Sequence, residues 1–483
     1  MSFHHVVVLG AGPIGLLTAI EARQNFVKNV TVVEKRTAYT RTNVPVLQTE
    51  IYKQFKSLGV LKELGSTGQA PFSQIEEALK EKALSLGVKF ELGYVVQSVI
   101  GMKKNKYGRF KSIHITVKPW DEQNKMMARY GGYKSLDADL LVVCTGGAAA
   151  ADPAVTQTLG FTFHKLHAKN YGAYGVFVPH KRDLVTPVEV TDRRKDYKNV
   201  NGNAVSSPLG FETPDHNYLL VTLAGCSRTD FKFLQANSSK LRTLLLGVGN
   251  SLGTAVLTEI KEVGKNVALF KIAIQRADQF YSEEFPAVIV GDAAVTPHPE
   301  AGSGIGTGFK GLEELKILFA SLKKSDRSDN NDAAFKTFND AYEVHVSKKA
   351  LEGTGIVLAN LIKLVTAYCD DVNAAANQIA DQKIKALAKT LIEQALQLKK
   401  DLEEEKEDCK RFEELVAENA PNNKHKPLVW DPRMERSVGQ LWANIGFTYD
   451  EVKALTGKIQ LLGDRLDKIE TMLKFDAQKK AVA

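Results

Sequence analysis

A short apolar run at residues 6–9 (VVVL) is followed at once by three glycines, Gly10, Gly12 and Gly15. No other feature of the chain constrains its fold as tightly. The run has the β-branched character of a strand buried on both faces. In a G-x-G-x-x-G turn the first glycine permits the tight bend. The second lets backbone approach a pyrophosphate, and the third lets the next helix lie close to the sheet. Residues 16–22 carry that helix, whose N-terminus offers unpaired N–H groups and a positive dipole end to phosphate. A second apolar strand, residues 30–33, ends in Glu34, where an acid accepts from a ribose hydroxyl. A glycine-rich turn can arise by chance. Strand, helix, second strand and acid in succession make that the weaker reading. Gly10, Gly12, Pro13, Ile14, Gly15 and Glu34 are therefore assigned to the ADP half of a dinucleotide.

A second stretch lies far downstream. Residues 288–290 form an apolar strand that stops at Gly291-Asp292, and an Asp at that place faces the ligand crevice of an open α/β sheet. Pro297 and Pro299 bar a regular helix. Gly302, Gly304, Gly306 and Gly308 follow, and a helical pattern runs from about residue 307 to 322. A glycine-rich loop that opens a helix presents N–H groups to negative charge, which in a reduced flavin lies around N1 and the C2 carbonyl. A structural Gly-Pro loop would look similar in isolation. Paired with the first stretch, this one fits the other half of FAD. Asp292 would take a ribityl hydroxyl, and Pro299, Gly302, Gly304 and Ile305 would border the ring.

The pair resembles the FAD-dependent aromatic hydroxylases of the p-hydroxybenzoate hydroxylase type. Their second motif, GDAAH, a proline, then GxGxNxG, is matched by Gly291, Asp292, Ala293, Ala294, Pro299, Gly302, Gly304 and Gly308. Val295 stands for the histidine and Gly306 for the asparagine. The segment EKRTAYTRTNV (34–44) is similar to the EKR-x-x-F-S-R-N-N-V segment of the MICAL flavin monooxygenase domains, through Glu34, Lys35, Arg36, Arg41, Asn43 and Val44. Residues 84–96 resemble the next βα unit of that family and bring Val96 to the cofactor. The resemblance implies that Arg41 and Asn43 sit near the pyrophosphate and flavin, and it makes Lys35 and Arg36 cofactor-binding candidates as well. Those hydroxylases end a central strand in Asp-Gly. Here residues 140–143 end in Cys144-Thr145-Gly146-Gly147, like other two-dinucleotide flavoproteins, which keeps Thr145 and Gly146 at the FAD and leaves NADPH use in question.

The resemblance implies an FAD-dependent monooxygenase. NAD(P)H reduces the flavin, and a C4a-hydroperoxide oxygenates a small molecule or a protein side chain. A reductase or oxidase without hydroxylation remains open, and so does a flavoprotein scaffold. No side chain stands out as a general acid or base. His298 and Glu300 lie in the loop that should border the ring, as catalytic candidates or as structural residues.

At 483 residues the chain is long enough for two or three domains. The expected class is α/β. A Rossmann-type FAD-binding domain (1–160 and 285–350) carries an inserted, mainly antiparallel β substrate domain (161–284). A helical, coiled-coil-like domain follows (351–483). Strand-like runs at 174–178, 218–223 and 267–274 fill the insert. In the tail, apolar residues recur at Ile384, Leu387, Leu391, Leu398 and Leu402. They recur more strictly at Val452, Leu455, Ile459, Leu462, Leu466, Ile469 and Leu473, a heptad seam. These helices either cover the FAD domain or mediate dimerisation or partner binding.

Cys144, Cys226, Cys369 and Cys409 show no C-x-x-C spacing, which fits a reducing compartment. No signal peptide and no membrane span are expected, so the location expected is cytoplasmic. His164 and His167 lack a third ligand, and no metal is expected. The formal charge of +8, with clusters at Lys103, Lys104, Lys106, Arg109 and Lys111 and at Arg193, Arg194 and Lys195, suits an acidic protein surface. No nucleic-acid motif accompanies it.

Overall fold

In the computed structural model the described residues are 4–41, 45, 47, 49–60, 70–101, 112–124, 126–128, 131–147, 153–166, 171–177, 193–194, 198–200, 203–212, 217–223, 228–251, 267–271, 274–296, 304–324, 332–344, 346 and scattered positions from 359 to 407. The chain divides into two compact units. One comprises Met1–Leu166, Ala273–Gly353 and Phe412–Val438, and the other His167–Ile272, Thr354–Arg411 and Gly439–Ala483.

The first unit opens with β1 (His5–Leu9), α1 (Pro13–Gln24), β2 (Asn29–Glu34), α2 (Thr49–Ser57) and α3 (Phe72–Ser85). Strands β3 (Lys89–Leu92), β4 (Tyr94–Gly101), β5 (Ile113–Asp121), β6 (Met126–Met127), β7 (Lys134–Ala138), β8 (Leu140–Val143) and β9 (Phe163–Leu166) follow. The second unit interposes β10 (Tyr171–Phe177), β11 (Arg193–Arg194), β12 (Lys198–Val200), β13 (Asn203–Glu212), β14 (Asn217–Leu223), α4 (Arg228–Ala236), α5 (Ser238–Ser251) and β15 (Val267–Lys271). The first unit resumes with β16 (Ile274–Ala277), β17 (Ala287–Ile289), β18 (Val295–Thr296) and α6 (Gly304–Lys324).

A parallel sheet ordered β17-β8-β1-β2-β3 forms the centre of the first unit. Strands β1, β8 and β17 are buried along nearly their whole length, so their continuous Val/Ile/Leu runs have helices or loops on both faces. Pro13 starts α1 at a position where its missing N–H costs nothing, and every residue from Pro13 to Ala22 is buried. A helix apolar all round belongs inside, and α1 packs against both α3 and α6. Its polar residues are satisfied locally: buried Glu21 accepts from Gln54 Nε2 at 2.9 Å and pairs with Lys316 at 3.2 Å. An antiparallel sheet of β4, β5, β6 and β7 and a small β18-β16-β9 sheet complete the unit.

The second unit is an antiparallel sheet ordered β11-β13-β14-β10-β15, with β12 on β13, and α5 packs on it. Two sequence expectations need correction. The run expected at 267–274 as one strand is two strands in two sheets, β15 pairing with β10 and β16 with β9. The run is apolar but for Lys271, and no turn residue in it marks where the chain changes sheets. The helix expected from about 307 begins at Gly304, because Gly304 and Gly306 are accepted in its first turn. The heptad seam at 452–473, the apolar positions from Ile384 to Leu402 and the basic cluster at 103–111 lie outside the described residues. The described positions from 382 to 407 are helical.

Two glycines decide whether α1 can sit where it does. A Cβ on Gly15 would collide with the Gly10 carbonyl, and one on Gly308 would lie 2.5 Å from Ile14 Cγ1. Gly59, by contrast, has a positive φ of 76° and open space around it. Gly15→Ala should therefore cost at least about 3 kcal/mol, because backbone must move. Gly59→Ala should cost about 1 kcal/mol, the left-handed penalty alone. Urea unfolding of the two variants checks this; equal losses would contradict the packing described.

Candidate functional site

Register brings the motifs together. Leu9 is aligned with Val33 on one side and Val143 on the other, and Val143 with Ile289. The next residues of each strand, Gly10, Glu34, Cys144 and Val290, thus line one edge of the sheet, the carboxyl end. Strand order reverses at β1, with β2 and β3 to one side and β8 and β17 to the other. That is where an open α/β sheet opens a ligand crevice.

A cavity of about 580 Å³ occupies this place, lined by Leu9, Gly10, Gly12, Val33, Glu34, Lys35, Arg36, Arg41, Tyr94, Val95, Val96, Trp120, Met127, Cys144, Thr145, Gly146 and Val155. Its volume is in the range of small-molecule and cofactor sites. Gly10 has φ 97°, and a Cβ there would lie 2.5 Å from the Cys144 carbonyl oxygen. The turn after β1 therefore touches the end of β8, and only glycine allows it. Gly12 caps α1 with no side-chain hydrogen bond, so the helix's first N–H groups are free of an internal cap. Thr145 Oγ1 in the cavity wall is buried without a hydrogen-bond partner. An uncapped helix N-terminus, a glycine cradle, cationic side chains and an orphaned hydroxyl in one cavity fit a phosphate-bearing ligand with further polar groups.

The charges form a network. Glu34 Oε2 accepts from Ala11 N–H at 2.8 Å and Arg36 Nη2 at 3.0 Å, and Oε1 from Arg36 N–H at 2.9 Å and Nε at 3.0 Å. Burial would push this carboxyl up, but the Arg36 guanidinium and the two N–H groups hold it below the usual carboxylate range. All four acceptor positions are taken. A ribose hydroxyl could reach Glu34 only by displacing an Arg36 donor. Arg41 pairs with the fully buried Glu76 of α3, which also lies 3.7 Å from Arg36. Burial, partly offset by Arg41, raises the Glu76 carboxyl, and its Oε2 has no partner. Lys35 lies 5.5 Å from the centre of the Trp120 ring. Burial pushes the Cys144 thiol up to about 12, so this cavity cysteine is no nucleophile at neutral pH.

The second motif reaches the same corner through Ile14. A Cβ on Gly291 would lie 3.1 Å from Ile14 Cγ2, and Gly308 abuts the same side chain. Gly291 N–H donates to the buried Tyr342 hydroxyl at 2.9 Å, which fixes the turn that carries Asp292. Asp292 is partly buried, near Gly304, where an added Cβ would lie 3.4 Å from Oδ1. Burial pushes its carboxyl up to about 6, and Arg41 opposes the shift.

Gly10, Gly12, Glu34, Lys35, Arg36, Arg41, Val96, Thr145 and Gly146 thus line the cavity. Pro13, Ile14 and Gly15 form the adjoining turn of α1, while Asp292, Gly304 and Ile305 lie outside the lining. Asn43, His298, Pro299, Glu300 and Gly302 lie outside the described residues. Sequence reasoning missed Glu76, whose signal was a charge inside the buried stripe of Ile75, Ala78, Leu79 and Ala83. It also missed Tyr94, which pairs with Pro119 across β4 and β5, and Trp120 and Met127, which pair across β5 and β6; no local pattern announces either pairing. Among the described residues no His/Cys/Asp/Glu group could hold a metal, and no helix is long and apolar enough to cross a membrane.

No family model matches the chain. A 93-residue stretch is 40% identical to the [F-actin]-monooxygenase Mical of Drosophila melanogaster, covering 18% of this chain and 2% of that one. Among solved structures, the flavin-dependent brominase Bmp2 matches with TM-score 0.53 and 14% identity over 72% of this chain and 87% of that one. The flavin-dependent halogenase CmlS matches with TM-score 0.53 and 15% identity over 74% and 65%. The Diels-Alderase PyrE3 of pyrroindomycin biosynthesis matches with TM-score 0.51 and 17% identity over 73% of each chain. At these identities the likeness is one of fold: the chain has a p-hydroxybenzoate hydroxylase-type fold, which it shares with these flavin-dependent halogenases.

Proposed function

We propose that the protein is an FAD-dependent oxidoreductase, a monooxygenase that uses NAD(P)H and O₂ on a small molecule or a protein side chain. One observation carries this reading. Two motifs nearly 300 residues apart meet at Ile14, on the carboxyl edge of the parallel sheet, beside a cavity with an uncapped helix N-terminus. The free N–H groups of α1 and the Arg41 guanidinium would hold the pyrophosphate. Glu34 would take the ribose once Arg36 yields a donor position. Thr145 would give its orphaned hydroxyl to the cofactor, with Gly146 and Val96 in the wall. Asp292 would accept from a ribityl hydroxyl, and the α6 N-terminus at Gly304 and Ile305 would face negative charge on the ring. The chemistry supplied by the bound cofactor would be electron uptake from NAD(P)H and activation of O₂.

Apolar side chains such as Leu9, Val33, Val96 and Val155 form part of the cavity wall, and ion pairs with Glu76 hold Arg36 and Arg41 beside them. The substrate is read as a small molecule or an acidic protein surface, the latter from the +8 charge and the partial likeness to a protein named for F-actin. The tail helices would serve as a dimer or partner module, and the cytoplasm as the location. A second reading, a reductase or oxidase without oxygenation, is favoured by the ending Cys144-Thr145-Gly146-Gly147 in place of Asp-Gly. Fold alone does not choose, since one matched structure is named for a Diels–Alder activity.

The purified protein should carry FAD, and anaerobic NADPH should bleach its visible flavin absorption. Gly12→Val should remove FAD. A protein that takes up no FAD contradicts the whole reading, and bound FAD that never bleaches leaves a scaffold. Peroxide release without product would select the oxidase.

A pH dependence follows from Asp292. Its folded-state carboxyl stands at about 6 against an unfolded value near 3.8, so the protein without cofactor loses stability as pH rises through that window. A hydroxyl donor prefers the ionised form, so FAD affinity should rise with pH through about 6. Asp292→Asn should flatten that rise, and Asp292→Ala should weaken binding by about 1–3 kcal/mol. An unchanged profile in Asp292→Asn would remove Asp292 from the ribityl site.

A further inference from the structure

We propose that Glu76 is a positioning residue that fixes the Arg41 guanidinium over Gly12, an inference that rests on the FAD reading above. Arg41 is 44% exposed, and an arginine so placed has considerable rotamer freedom to lose. Three attachments hold residue 41, one through its backbone and two through its side chain, all to the start of α3. The Arg41 carbonyl accepts from Ser73 N–H at 2.9 Å. The guanidinium lies 4.8 Å from the Phe72 ring centre and pairs with Glu76. The Arg41 carbonyl also satisfies one orphan N–H of a helix whose N-cap, Pro71, has no side-chain bond to offer. Side chain and backbone of residue 41 are thus tied to a single helix turn.

The position to which they are tied is specific. A Cβ built on Gly12 would lie 3.6 Å from Arg41 Nη2 and 4.0 Å from Glu76 Oε1. The guanidinium therefore stands beside the uncapped N–H groups of α1, where the two together form one anion site. Glu76 spans two of the three cations that line the cavity, reaching Arg36 Nη2 at 3.7 Å as well.

Stability does not account for Glu76. It sits within the buried stripe of Ile75, Ala78, Leu79 and Ala83, is 0% exposed and leaves Oε2 unpartnered. A buried ion pair is often no better for stability than an apolar replacement, and Arg41 has access to water without it. The carboxylate holds a partly exposed arginine in one rotamer. That is worth its desolvation cost if the arginine must meet an anion there.

The test is titration of FAD into the cofactor-free full chain, followed by flavin fluorescence, with thermal unfolding alongside. Glu76→Gln should weaken FAD about tenfold, the scale of one charge-assisted hydrogen bond, without lowering the unfolding temperature. Arg41→Ala should weaken it at least as much. Adding Glu76→Gln to Arg41→Ala should then change affinity by less than about twofold, because the two act through one contact. Should Glu76→Gln fail to fold, Phe72→Leu, which removes the ring beneath the guanidinium, should weaken FAD with the same dependence on Arg41. Wild-type affinity in the variants, or losses that add in the double variant, overturn the clamp alone. Wild-type protein that takes up no FAD overturns the clamp and the FAD reading together.

Discussion

The structure depends on a close approach of backbones at Gly10. Its turn after β1 lies against the end of β8, and the first turn of α1 lies against its carbonyl. Side chains on Gly10 or Gly15 would separate these three elements. Because they stay in contact, the carboxyl ends of β1, β2, β8 and β17 share one edge. Everything at the cavity follows from that edge: the helix N-terminus, Glu34, Cys144-Thr145-Gly146, and the turn at Asp292 that packs on Ile14. Tyr342 secures the last of these from behind. Its hydroxyl accepts from Gly291 N–H, and its ring lies 4.8 Å from that of Phe280 and 5.3 Å from that of Phe338.

Charge at the cavity mouth is balanced internally. Glu34 is saturated by Arg36 and Ala11, and Glu76 holds Arg41. Buried ion pairs of this kind add little to stability. Their effect is to hold cations at fixed points beside an uncapped helix, which suits an anionic ligand. The same arrangement makes the fit conditional: a ribose must compete with Arg36 for Glu34. Cys144, by contrast, is a wall residue, its thiol protonated by burial.

The fold was legible where a local pattern has one physical meaning. A β-branched run, three spaced glycines, an apolar helix and a second strand ending in an acid define β1, α1 and β2 to within a few residues. Register across the sheet then follows. What stayed hidden depends on long-range pairing. Trp120 and Met127 meet across β5 and β6, and neither sequence stretch carries a dinucleotide motif. Glu76 reads as one more charge on an amphipathic helix until α1 and residue 41 are placed against it. The change of sheet between β15 and β16 is silent for the same reason, since each strand's partner, β10 or β9, lies far away in sequence. Even Glu34, singled out from its place at the end of β2, proved fully engaged by Ala11 N–H and by a residue two positions away.

The central claim is that an FAD binds at the carboxyl edge of the parallel sheet. Amide hydrogen exchange measured with and without added FAD tests it most directly. The account predicts slowed exchange in the peptides that carry residues 10–17, 34–41 and 144–147, and in the turn at 291–294, with the amides of β3 and β7 unchanged. Protection confined to other segments, or none at saturating FAD, would contradict it.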